Sequence, residues 1–147
     1  MAAIWSFEHA VAVRSSRERA WAFWSDVAGC ASADPGVEWV RIDGPFTAGA
    51  HGQTKPVGAA AIEWTLVEVT AGERAVIEIA VPGATVRFVW AFGDGSRGGA
   101  TLTQRVELAG ERAEQYLGAM TGLAQGIPQG MARLADAIDR AGTGPPN

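Results

Sequence analysis

The 147-residue chain reads as an α+β protein: a curved seven-stranded antiparallel sheet wrapped around one long C-terminal helix, with one or two short helices after the first strand. Three observations predict this. A segment of period two opens the chain, and six more short segments rich in β-branched and aromatic residues follow at hairpin spacing. The last third then changes to a repeat of three or four residues.

In the opening segment, Ile4 to Val13, the residues Trp5, Phe7, His9, Val11 and Val13 fall on one face, the pattern of a half-buried strand. "SSRE" supplies a helix start, with Ser15 as N-cap and Glu18 three residues on. Ala20, Phe23, Trp24 and Val27 follow at helical spacing and Trp21 widens the stripe; Gly29 and Pro35 bound a short irregular segment or a second small helix. "VEWVRI", "AHGQTK", "AAIEWTLVEV", "RAVIEIAV", "ATVRFVWAF" and "ATLTQRVEL" are the six further strands, separated by Gly, Pro, Asp or Ser. Gaps this short require antiparallel neighbours.

From Arg112 to Arg140, Tyr116, Met120, Leu123, Ile127, Met131, Leu134 and Ile138 recur as the stripe of an amphipathic helix. At about 1.5 Å per residue it would run about 40 Å, long enough to cross the whole domain. Pro128, between Gly126 and Gly130, is expected to kink or break it. This helix is the one element able to cover a face of the sheet, which makes Trp21, Phe23 and Trp24 a wedge between the sheet rim and the helix. Residues 1–141 form one domain in this reading, and 142–147 a frayed tail.

The composition is that of an ordinary globular chain, 48% hydrophobic and 19% charged. A net charge of −4, with Lys55 the only lysine, argues against a nucleic-acid partner. Cys30 is the sole cysteine, so no internal disulfide can form, and a cytoplasmic location is expected. The N-terminus lacks the basic start of a signal peptide, and no apolar run reaches the ~20 residues of a membrane span, so no stable membrane insertion is expected.

Several stretches resemble the START-like or helix-grip superfamily, also called SRPBCC, in its polyketide cyclase/dehydrase-like branch. "SSRERAWAFWSDV" looks like the first helix of that group, "DPGVEWVRIDGPFTAGAHGQTKP" is similar to its second and third strands, and "GATLTQRVELAG" to the strand before its terminal helix. The likeness spans almost the entire chain and implies a cavity between the curved sheet and the long helix. Many relatives carry tryptophans before the Asp-Pro-Gly turn, where this chain has Cys30 and Ala33. Smaller side chains there would widen the cavity mouth unless Trp39 fills the space.

Individual signals carry competing readings. "GDGSRG", Gly93 to Gly98, matches a dinucleotide fingerprint in spacing, but a strand-like segment follows it where a helix is required, so its glycines serve a hairpin. His9 is either a proton-transfer group in a cavity or a histidine bonded within the core. His9, Cys30 and His51 have no ligand-like spacing, so no metal is expected, nor is any cofactor implied. Gln104 interrupts the apolar run of Leu102, Val106 and Leu108; its amide needs a partner, whether a ligand, a water or Tyr116. Arg87 and Arg105 fall on the opposite face, where acids such as Glu78 would pair with them, or, if the apolar face is the outer one, they line the cavity; Glu63, Glu68 and Glu107 look like a wet outer face.

The ligand-lining set expected from these patterns is Trp5, Phe7, His9, Val11, Trp39, Thr54, Trp64, Ile77, Phe88, Trp90, Gln104, Tyr116, Met120, Leu123 and Ile127. The function expected is the binding of a small hydrophobic molecule (lipid, isoprenoid, aromatic or polyketide-like). The alternative is a cyclase or dehydratase in which His9, Gln104 and Tyr116 handle protons. A third reading is an interaction module, such as a homodimer built on a sheet edge or the terminal helix.

Overall fold

The computed structural model describes residues 2–32 and 34–142. Ala33 and the tail from residue 143 lie outside the described residues. The strands are β1 (Trp5–Val13), β2 (Val37–Ile42), β3 (His51–Pro56), β4 (Ile62–Thr70), β5 (Arg74–Val81), β6 (Ala84–Asp94) and β7 (Ala100–Ala109). Helices α1 (Arg17–Ser25) and α2 (Val27–Ala31) follow β1, and α3 (Leu117–Gly142) closes the chain after a 3-10 turn at Ala113–Tyr116. The seven strands form one sheet in the order β1-β7-β6-β5-β4-β3-β2, every pair antiparallel. The first strand therefore pairs with the last, and β1 and β2 are the free edges.

Register rows place the apolar residues on the face toward α1 and α3. Val11 stands opposite Leu102 and Leu102 opposite Phe92; Phe7 stands opposite Val106, which faces Phe88 and then Ile77. Leu102, Val106 and Leu108 are fully buried, so the central strands carry the core. The other face is solvated: Arg87 stands opposite Glu78 with 4.0 Å between their charged groups, and Arg105 bonds Glu107 at 2.9 Å. In β3, Gly52 is required by close approach, because a Cβ there would lie 2.2 Å from the Trp64 ring.

Helix α1 is capped by Ser16, whose hydroxyl accepts from Arg19 N at 3.2 Å. Ser15, the N-cap expected from the sequence, is used differently. Its N–H and hydroxyl both donate to Asp139 Oδ1, at 3.1 and 3.3 Å, and Arg14 N donates to the same oxygen at 2.9 Å. The β1–α1 corner is thereby tied to the last turns of α3. Trp21 and Trp24 pack edge-on and tilted against Phe92, with centroids 5.2 and 5.3 Å away, and both touch Phe46. These rings fasten α1 to β6 and to the loop between β2 and β3.

Helix α3 runs unbroken through Pro128, so of the kink or break expected there the break does not occur. Pro128 withholds the N–H that the Ala124 carbonyl would otherwise receive, yet buried Ile127 and Met131 flank the site and hold the helix to the core. At its start, the Tyr116 hydroxyl donates to the Pro82 carbonyl at 2.6 Å, and Arg112 N donates to Gly83 O at 2.8 Å. Both bonds pin the β5–β6 turn, where Gly83 takes a φ of +76°.

Candidate functional site

Between the sheet and α3 lies a cavity of about 510 Å³. Its sheet-side wall is Trp90 on β6 and Gln104 on β7, its end wall is Trp24 of α1, and its lip on one side is Cys30 of α2 with Asp34 beyond. The opposite wall is a strip of α3: Gly122, Leu123, Gly126, Ile127, Gly130, Met131, Arg133 and Leu134. Gly122, Gly126 and Gly130 recur every four residues and so share a helix face. Gly122 and Gly126 are exposed, and a Cβ on either would meet nothing within 4 Å, so this rim of the cavity carries no covering side chain.

Trp24 and Trp90 lie with centroids 5.2 Å apart and planes at 41°, forming a rigid apolar corner. Met131 lies opposite on α3 and supplies an adaptable wall. Gln104 is the polar group of the sheet wall. Its side chain bonds no protein group among the described residues, so its amide presents a donor and an acceptor to whatever fills the cavity.

Register aligns His9 with Gln104, and Gln104 with Trp90, in one cross-strand row. His9 is half-buried one strand beyond the cavity wall, on the edge strand β1. Burial, with the nearby Asp34 and Asp26 carboxylates, pushes the Cys30 thiol up to about 11. Cys30 is therefore protonated near neutrality and lacks the thiolate that nucleophilic chemistry needs. Among the described residues, no three His, Cys, Asp or Glu side chains gather as a metal ion would require.

Of the fifteen residues expected to line a ligand, the structure brings Trp90, Gln104, Leu123 and Ile127 to the cavity wall. Trp5, Phe7, Val11, Ile77 and Phe88 are half-buried and pack against the core. Trp64 is buried over Gly52 and donates its N–H to Thr54 Oγ1 at 3.0 Å, so these two satisfy each other away from the cavity. Trp39 lies beneath Arg41, whose guanidinium carbon is 4.1 Å from the ring centroid. Tyr116 spends its hydroxyl on Pro82, and Met120 is buried outside the cavity lining. Trp24, Cys30, Asp34, Arg133 and Leu134 join the wall without having been named as ligand contacts, and Met131 of the helical stripe joins them. The four-residue glycine spacing in α3 was the sequence signal that could have found its strip.

A scan against family profiles matches residues 5–139 to polyketide cyclase / dehydrase and lipid transport. A search of curated proteins found no match. Among solved structures, truncated norcoclaurine synthase from Thalictrum flavum superposes with a TM-score of 0.73 at 15% identity, covering 99% of this chain and 98% of that one. Protein NE0264 from Nitrosomonas europaea gives 0.76 at 16% identity, covering 98% and 100%. A Thermobifida fusca protein solved by NMR gives 0.70 at 18% identity, covering 92% and 93%. At such identities the structural likeness speaks for the helix-grip fold alone. The profile match covers nearly the whole chain, and the protein belongs to the SRPBCC-type polyketide cyclase/dehydrase and lipid-transport family.

Proposed function

We propose that the protein binds a small hydrophobic molecule in the cavity between Trp90 and Gln104 on the sheet and the glycine strip of α3. The observation that carries this reading is the hollow itself. Mostly apolar side chains line a cleft of about 510 Å³, open to solvent on one side, that they do not fill, a size ordinary for small-molecule sites. A ligand carbonyl or hydroxyl would satisfy the Gln104 amide, while the Trp24–Trp90 corner offers flat area to a ring or chain. Membership of a family described by cyclase, dehydrase and lipid-transport roles is in keeping with such a ligand.

Titration with the neutral solvatochromic dye Nile red tests the reading. One molecule per chain, with quenching of tryptophan fluorescence, is expected. No saturable signal at any concentration would remove it. A catalytic role ranks second: of His9, Gln104 and Tyr116, Gln104 alone lines the cavity, and an amide does not transfer protons as an acid or base.

A further inference from the structure

The cationic side chains of the chain are nearly all engaged. Arg14 pairs with Asp139, Arg17 with Glu73 and Asp94, Lys55 with Glu38, Arg74 with Glu68, Arg87 with Glu78, Arg105 with Glu107 and Arg140 with Asp136. Arg19 donates to the Gly142 carbonyl and Arg41 rests on Trp39. Among the described residues, the side chains of Arg97, Arg112 and Arg133 have no such partner. Arg97 is at the β6–β7 turn and Arg112 packs its methylenes over Gly83. Arg133 is the one that lines the cavity.

Its position there follows from the helix. Asp136, three residues on, is taken by Arg140 at 2.7 Å. Helical side chains lean toward the N-terminus, and the Arg133 Nη2 lies 3.9 Å from where a Cβ on Gly130 would be. The guanidinium thus folds back along the glycine strip at the cavity edge. Asp34 lines the same cavity from the α2 side, so the mouth has one basic and one acidic lip.

We infer that the cavity takes an amphiphilic carboxylate, with the apolar body against Trp90, Ile127 and Met131 and the carboxylate on Arg133. This rests on the hydrophobic-ligand reading above and adds the head group to it. A planar guanidinium with free donors matches a carboxylate in paired hydrogen bonds. A single cation facing an acidic lip favours a monoanion over a dianionic phosphate, whose second charge would meet Asp34 without compensation.

Competition against Nile red with dodecanoate and dodecanol at pH 8 tests the inference in the wild type, Arg133→Gln and Asp34→Asn. Asn at position 34 keeps the oxygen that accepts from Gly36 N at 2.8 Å, so that turn is preserved. Arg133→Gln is expected to weaken dodecanoate about tenfold while dodecanol and Nile red stay within about twofold. Asp34→Asn is expected to tighten dodecanoate a fewfold, and added salt to weaken it in the wild type more than in Arg133→Gln. Dodecanoate unaffected by Arg133→Gln, or weakened equally with dodecanol, would overturn the head-group assignment and leave the cavity reading standing. Failure of Nile red and both amphiphiles to bind would overturn the two together.

Discussion

The last turns of the terminal helix and its stretch along the cavity meet their surroundings differently. In the last turns, Ile138 is 1% exposed, and Asp139 holds the β1–α1 corner through Arg14 N, Ser15 N and the Ser15 hydroxyl. Along the cavity, Ile127 and Met131 are buried, but Leu123 is 36% exposed and a Cβ on Gly122 or Gly126 would meet nothing within 4 Å. One amphipathic stripe runs through both stretches. Side-chain volume decides how far the cavity is closed over, since Gly122 and Gly126, both exposed, add no side chain to its rim. The same helix lines the cavity from Gly122 to Leu134 and is anchored in its last turns by Ile138 and Asp139.

The largest effect that would break this contrast is in the anchored turns. Ile138→Ala should cost about 2–5 kcal/mol by urea denaturation, because a fully buried aliphatic group leaves a cavity behind. Leu123→Ala should cost under about 1 kcal/mol, as exposed sites usually do. Similar losses at the two positions would mean the two stretches do not differ. On the cavity side, Cys30 should react with a disulfide reagent at pH 8 about a hundredfold more slowly than an unperturbed thiol, since its value is raised from 9.0 to about 11. The sign is set by the neutral form being favoured in the fold, so the rate should climb as pH rises toward 11. A rate that levels off near pH 9 would show that the thiol is neither buried nor beside the two aspartates. Asp139→Ala should cost about 1–3 kcal/mol, because the Ser15 and Arg14 donors lose their acceptor. A neutral result would deny the anchor.

The smallest effect has the opposite sign. Gly126→Ala should raise stability by about 1 kcal/mol, since alanine is the better helix former and its methyl group enters open space. Destabilisation would place Gly126 against packed atoms.

Much of the architecture was legible because it is written in periodicity. The alternation in "ATLTQRVEL" and the three-to-four repeat from Tyr116 to Ile138 each set an element whatever its neighbours do. Local chemistry was less decisive. Ser15 and Ser16 are interchangeable as caps by residue type, and the choice fell to Asp139, which is distant in sequence and closer to Ser15 in the fold. The cavity wall was harder still. Face assignment from a strand pattern puts Trp64 and Trp90 on one surface, but whether a ring borders a hollow depends on what stands opposite. Trp64 covers Gly52, whereas Trp90 borders the cavity that α3 lines from the other side. Tyr116 likewise looked available until the β5–β6 turn came within reach of its hydroxyl.

The most direct test of the central claim is Nile red titration of Gly126→Leu beside the wild type, with urea denaturation of both. The hollow account predicts saturable one-to-one binding in the wild type, loss of that binding in the variant, and unchanged or greater stability as the leucine fills space. Equal binding in the two proteins, or a variant that binds no dye because it has unfolded, would contradict a ligand site bounded by the glycine strip of α3.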